Sequence, residues 1–115
     1  MNYLYGAALT LTTGASVTTV LQHVAGCTEF MVGVPSFTSG VDLITIQMRV
    51  YGTSTWRDMY VEDGPSTHIV KAEITTGISN AFVPVKGLCQ EIRLKVQTPT
   101  TASSHEFEII FRRPT

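Results

Sequence analysis

His23, His68 and His105, with Cys27 and Cys89, are the side chains here best suited to serve as bases, nucleophiles or soft metal ligands. A hydrolytic nucleophile needs a base within hydrogen-bond reach and a third group that orients the base. No local signature ties either cysteine to any histidine. HxH, HExxH and the calcium loop of alternating Asp and Asn are all missing, as is a glycine-rich phosphate cradle. Asp58, Glu62 and Asp63 lie close together, yet they straddle a strand end and a turn, where acids serve the local backbone as hydrogen-bond acceptors. The sequence therefore predicts no catalytic residues, no metal, no cofactor and no enzyme activity. The two lone cysteines lack CxxC spacing and read as small buried hydrophobes, which leaves a disulfide between them open.

Aromatic residues offer a different chemistry. A sugar-binding face needs flat rings flanked by hydrogen-bonding groups, and Tyr51, Trp56, Arg57, Asp58 and Tyr60 could supply one. In a strand, however, Trp56, Asp58 and Tyr60 share one face and Arg57, Met59 and Val61 the other, so the core must claim part of the set. The favoured reading makes Trp56 a core or interface anchor, worth about 3–5 kcal/mol against alanine if it fills the space between two sheets. Tyr3 and Tyr5, at alternate positions near the start, form a second candidate, since chain ends carrying aromatics often dock. The candidate interface residues are thus Tyr3, Tyr5, Trp56, Arg57 and Tyr60.

The elements that would position these residues are strands. Leu43 to Gly64 reads as a strand, a turn at Gly52-Thr53-Ser54 and a return strand opened by Trp56. Ile44, Ile46, Met48 and Val50 fall on one face, and Thr45, Gln47, Arg49 and Tyr51 on the other. Tyr3 to Leu11 and Ser16 to Val24 flank Thr12-Thr13-Gly14-Ala15 as a first hairpin. Glu29 to Val34 places Phe30, Val32 and Val34 on one side, and Pro35 to Gly40 is a loop. Past a turn at Gly64-Pro65-Ser66, His68 to Ile74 alternates Val70, Ala72 and Ile74 with Ile69, Lys71 and Glu73; Thr75-Thr76-Gly77 turns the chain again. Asn80 to Val85 is a short strand closed by Pro84 and Gly87. Glu91 to Gln97 opposes Ile92, Leu94 and Val96 to Arg93, Lys95 and Gln97. After the loop Thr98 to Ser104, the last strand turns Phe107, Ile109 and Phe111 inward and Ile110 outward.

No window carries a 3.6-residue period, so the expected fold is all-β: a two-sheet antiparallel, jelly-roll-like β-sandwich of eight or nine strands with no long helix. The chain of 115 residues fits one domain, 1–115, with residues 1–15 as a candidate N-terminal arm that engages a partner.

Charged residues are 15% of the chain, against about 25% in ordinary soluble domains. The formal net charge of -1 leaves no basic stripe beyond Arg112-Arg113, so nucleic acid is not expected as a partner. No apolar run reaches the roughly 20 residues of a membrane span, and MNYLYGAALTLTTG lacks the cationic start of a secretory signal. A soluble, unexported protein with no membrane partner is the expectation.

The phrase VYGTSTWRDMYVEDG resembles the strand-turn-strand of small virion structural proteins of tailed bacteriophages, in which G-T-aromatic-x-D-hydrophobic-Y-x-x-D/E-G follows an alternating strand. Ile44-Thr45-Ile46-Gln47 stands where that strand opens. Phe82-Val83-Pro84-Val85 resembles the family's short apolar strand, Glu91 to Val96 its charged alternating strand, and Thr98 to Ser104 its Thr/Ser/Ala/Pro-rich loop. The likeness covers about Ser36 to Phe111; Tyr3 to Val34 does not align, and the loop lacks the usual Gly-Thr-Ser start. It implies a head decoration or cement protein on the capsid surface of the virion, made in the host cytoplasm. The implied partners are the major capsid protein and other copies of the chain, as a trimer at a local threefold axis. The alternatives are a carbohydrate-binding module on head or tail fibre, with a cell-surface glycan as partner, or a tail or adaptor subunit.

Overall fold

The computed structural model of the protein describes residues 2–22, 29–35, 43–63, 68–75, 80–86, 90–97 and 104–114, and the side chains of these except residues 2–5, 63 and 112–114. Ten strands run through them: β1 (Asn2–Leu11), β2 (Glu29–Val34), β3 (Leu43–Arg49), β4 (Arg57–Asp58), β5 (Tyr60–Asp63), β6 (His68–Lys71), β7 (Glu73–Thr75), β8 (Ala81–Lys86), β9 (Glu91–Val96) and β10 (His105–Pro114). The all-β expectation holds. Cys27, Cys89 and His23 lie outside the described residues, as do the loop 36–40, the 64–66 turn, most of the 75–77 turn, Gly87 and most of the 98–104 loop.

Strand alternation sorts the side chains into two layers. One sheet has the order β1-β10-β2-β8, all antiparallel. The other is centred on β3, which pairs with β9 along one edge and shares its other edge between β4 and β7. The inner faces meet in one buried cluster: Leu9, Val32, Phe107 and Ile109 from the first sheet, and Ile46, Ile74, Ile92 and Leu94 from the second. Of the candidate arm 1–15, residues 2–11 are bonded to β10 along their full length as a strand of the first sheet.

Three sequence expectations are corrected. Of the expected strand Ser16 to Val24, the described part, residues 16–22, is not a strand of a first hairpin. The turn at Thr12 to Ala15 forms, with Ala15 N–H donating to Thr12 O and Gly14 at φ +81°. From Ser16, whose carbonyl accepts from Val96 N–H, the chain lies along the outer edge of β9 in the second sheet, touching β1 on the way at Thr10–Thr19. There Thr18 N–H donates to Leu94 O, and Thr18 Oγ1 accepts from Leu94 N–H at 3.0 Å, a side-chain oxygen standing in for a ladder carbonyl.

Val50 is 60% exposed instead of inward, because β3 ends at Arg49 and a turn begins: Thr53 N–H donates to Val50 O, with Gly52 at φ +85°, which glycine adopts without steric cost. The return strand and the 68–74 strand are each split in two. The split is a fork on the edge of β3, where Met59 N–H donates to Ile46 O, Ile46 N–H to Ala72 O and Ala72 N–H to Met59 O, at 2.9, 3.0 and 2.8 Å. Met59 and Ala72 stay buried at the fork, while β5 and β6 leave the sheet as a separate two-stranded ribbon.

Phe107 is fully buried between the layers. Phe107→Ala should lower the stability measured by urea unfolding by about 3–5 kcal/mol, while Val50→Ala, at the exposed strand end, should change it by less than about 0.5 kcal/mol.

Candidate functional site

The two outer faces of the sandwich differ in chemistry. On the β3 sheet, neighbouring strands align polar residues into rows: Arg93–Gln47–Asp58 across β9, β3 and β4, and Glu91–Arg49 beside it. Gln47, only 7% exposed, donates from Nε2 to Asp58 Oδ1 at 2.9 Å and accepts from Arg93 Nε at 2.8 Å. Arg49 Nε donates to the buried Glu91 carboxylate at 3.0 Å. Trp56 lies against both arginines, whose guanidinium carbons stand 4.6 and 4.4 Å from its ring centroid, a doubled cation–π contact. Burial, and then the nearby charge of Arg49, lowers the pKa of Arg93. The hydrogen bond from Gln47 holds the Asp58 carboxyl below its ordinary pKa; desolvation opposes it, and Lys71 and Lys95 add to it. Polar groups on this face thus satisfy one another, and no buried side-chain polar atom among the described residues lacks a partner.

Of the two roles expected for Trp56, core or interface anchor, the structure excludes that of inter-sheet core filler. It sits on the outer face, half-buried, and the guanidiniums already occupy its π system. Arg57 and Tyr60 are exposed and line an open groove of about 520 Å³ with Met48, Val50 and Thr53. The structure brings those two together and separates them from Trp56, which does not line the groove. The backbones of Tyr3 and Tyr5 lie in β1; their side chains are outside the described set. No group of three or more His, Cys, Asp or Glu side chains among the described residues could hold a metal.

The outer face of the first sheet is apolar. Its register aligns Gly6, Ile110, Met31 and Pro84 in one row and Ala8, Glu108, Gly33 and Phe82 in the next. Met31 is 38% and Phe82 48% exposed. The Phe82 ring rests over Gly33, where an added Cβ would stand 2.9 Å from Phe82 Cε1 and 3.1 Å from Glu108 Cβ. Only Glu29, Lys86, Glu106 and Glu108 bring charge to this face among the residues with described side chains. Sequence reasoning missed the patch as a unit, though the outward-facing Ile110 was its one visible mark. The other members come from strands paired across long stretches of chain.

No protein-family profile matches the chain. No curated protein matches it either. Among solved structures, the crystal structure of the SPBc2 prophage-derived protein YomS is similar, with a TM-score of 0.59 over 96% of this chain and 95% of that one at 10% sequence identity. At that identity the likeness is one of fold: both chains have this β architecture from end to end.

Two outcomes are expected of the polar face. Trp56→Ala should cost roughly 1–3 kcal/mol in urea unfolding, the cation–π contacts plus the lost apolar area, and the loss should shrink when Arg49 and Arg93 are already replaced by Met. A carboxyl with a depressed folded pKa stabilises the fold above its unfolded pKa and loses that contribution as pH falls through the folded value. The gap in melting temperature between the wild type and Asp58→Asn should therefore be full at neutral pH and close as pH falls below about 4. A gap that stays constant down to pH 2 would show that Asp58 ionisation is not coupled to folding.

Proposed function

We propose that this protein is a non-enzymatic structural protein of a bacteriophage virion, a decoration or cement protein that binds the assembled head. The observation that carries this reading is the outer face of the first sheet, where Ile110, Met31, Pro84 and Phe82 present apolar surface on a domain short of charge. Surfaces depleted of charge at their centre and rimmed by polar groups are the kind that proteins use to pack on proteins. The strand-turn-strand motif around Trp56 and the shared fold with a prophage-derived protein support the same reading.

The patch packs on the major capsid protein, on the outside of the head, after synthesis in the host cytoplasm. A ligand that binds the closed lattice and not free subunits stabilises the lattice by mass action. Several linked copies raise the effective concentration of each contact and so the avidity. The glycan-binding alternative asks for an aromatic face free to stack on a sugar, whereas Trp56 is already engaged by Arg49 and Arg93.

Particles of the parent phage lacking this protein should lose DNA at lower temperature or under milder osmotic shock than complete ones. Added wild-type protein should restore them, and Met31→Lys, at an exposed position outside the core, should bind at least about tenfold more weakly. Equal integrity of stripped and complete particles would refute the clamping role. Binding of the purified protein to a glycan array, abolished by Tyr60→Ala, would favour the alternative.

A further inference from the structure

An exposed strand edge carries a row of unpaired N–H and C=O groups, and folded proteins guard such edges by shortening, charging, covering or interrupting them with proline. Among the described residues every edge but one has such a guard. The outer edge of β9 is covered by Ser16 to Leu21. β4 and β7 have two and three residues, and the β5–β6 ribbon, four residues a strand, carries Glu62, His68 and Lys71. β8 carries Lys86, and Pro84, which has no N–H to offer.

β1 is the exception. It has ten residues, one side bonded to β10 throughout, and no Asp, Glu, Lys, Arg or Pro; the first such charge in the chain is Glu29. Among the described residues its other side is closed at a single point. Thr10 N–H donates to Thr19 Oγ1 at 2.9 Å, and Thr10 O accepts from Thr19 N–H at 3.0 Å. Those two bonds fix the parity of the strand, since the N–H and C=O of one residue point to the same side and successive residues to opposite sides. Asn2, Leu4, Gly6 and Ala8 thus share the orientation of Thr10 and face away from β10.

We propose that β1 pairs with β1 of a second copy of this chain, antiparallel about a two-fold axis, joining two four-stranded sheets into one of eight strands. The occupant follows from the edges themselves. A strand suited to complete this edge is long, uncharged and free on one side, and among the described residues β1 is the strand that meets all three conditions. Two uncharged copies meet without repulsion, and a two-fold operator sets a strand antiparallel to its own copy. All four outward residues are used when Asn2 lies opposite the partner's Ala8 and Leu4 opposite the partner's Gly6. This makes about eight backbone hydrogen bonds, two for each hydrogen-bonded pair, with Tyr5 on the axis. The apolar rows that begin at Gly6 and Ala8 then run on from one subunit into the next. The contact does not depend on a role in a virion, and its two-fold symmetry differs from the threefold arrangement that the sequence resemblance implies.

The test is native mass spectrometry of the full chain over a dilution series, with amide hydrogen exchange read at single residues. The expected result is a dimer whose Leu4, Gly6 and Ala8 amides are protected and lose protection on dilution into monomer. Gly6→Pro removes one outward donor and leaves the β10 ladder intact, so it should fold with an unchanged circular dichroism spectrum and dimerise at least about tenfold more weakly. Ala7→Pro, which removes a donor facing β10, should instead unfold or melt far lower. A protein monomeric at every concentration, a trimer, or a dimer whose Leu4, Gly6 and Ala8 amides exchange as freely as in the monomer would overturn the proposal. The exchange experiment on the wild type decides the matter even if Gly6→Pro fails to fold.

Discussion

Burial of one side of each sheet against the other is the constraint from which the rest of this molecule follows. Phe107 and Ile109 on β10, Val32 on β2, and Ile92 and Leu94 on β9 have essentially no contact with water. Each strand is thereby fixed in register, because a slip by one residue would turn its whole apolar set outward. Once the inner faces are fixed, the outer faces are fixed as well. The same ladder that aligns Ile46 with Leu94 inside also aligns Gln47 with Arg93 outside.

The two outer faces use that alignment differently. On the β3 sheet, Arg93, Gln47 and Asp58, and Arg49 with Glu91, are placed so that each finds a partner on the next strand, and Trp56 lies against the two arginines. The Gln47 amide joins a carboxylate on one side to a guanidinium on the other, which keeps a nearly buried polar side chain from being left without partners. On the β10 sheet, the aligned positions hold Gly, Ala, Met, Ile, Pro and Phe around the exposed Glu108, so the register produces a largely apolar surface with charge at a few positions. One face pairs its polar groups across the strands, and the other leaves apolar side chains exposed.

Much of this was legible in the sequence where a strand has one wet and one dry side. Ile92, Leu94 and Val96 against Arg93 and Lys95 could hardly be read otherwise, and Ile110 was visible as an apolar residue on the wrong side of its strand. Elsewhere local pattern was overruled by tertiary pairing. Ser16 to Val24 alternates like a strand, but its partner is the edge of β9 and not its neighbour in sequence, and Thr18 bonds there through its side chain. Trp56 has the size of a core residue, yet the arginines that claim it come from β3 and β9, and Arg93 is 37 residues away in the chain. The fork at Ile46 was hidden for a similar reason. Nothing in the alternation of Tyr60 or Ile69 announces that they have left the parent sheet.

The fork also has a consequence for how this scaffold can change. The three backbone bonds among Ile46, Met59 and Ala72 close on themselves at the base of the ribbon, and just beyond them Val61 packs against the core and Lys71 pairs with Asp58 and Glu73. The nine positions from Glu62 to Val70, beyond those anchors, form a cassette that can be lengthened, recoded or exchanged for another recognition element while the sandwich beneath keeps its shape. A lineage built on this fold can alter what it touches at that prong without having to refold its body.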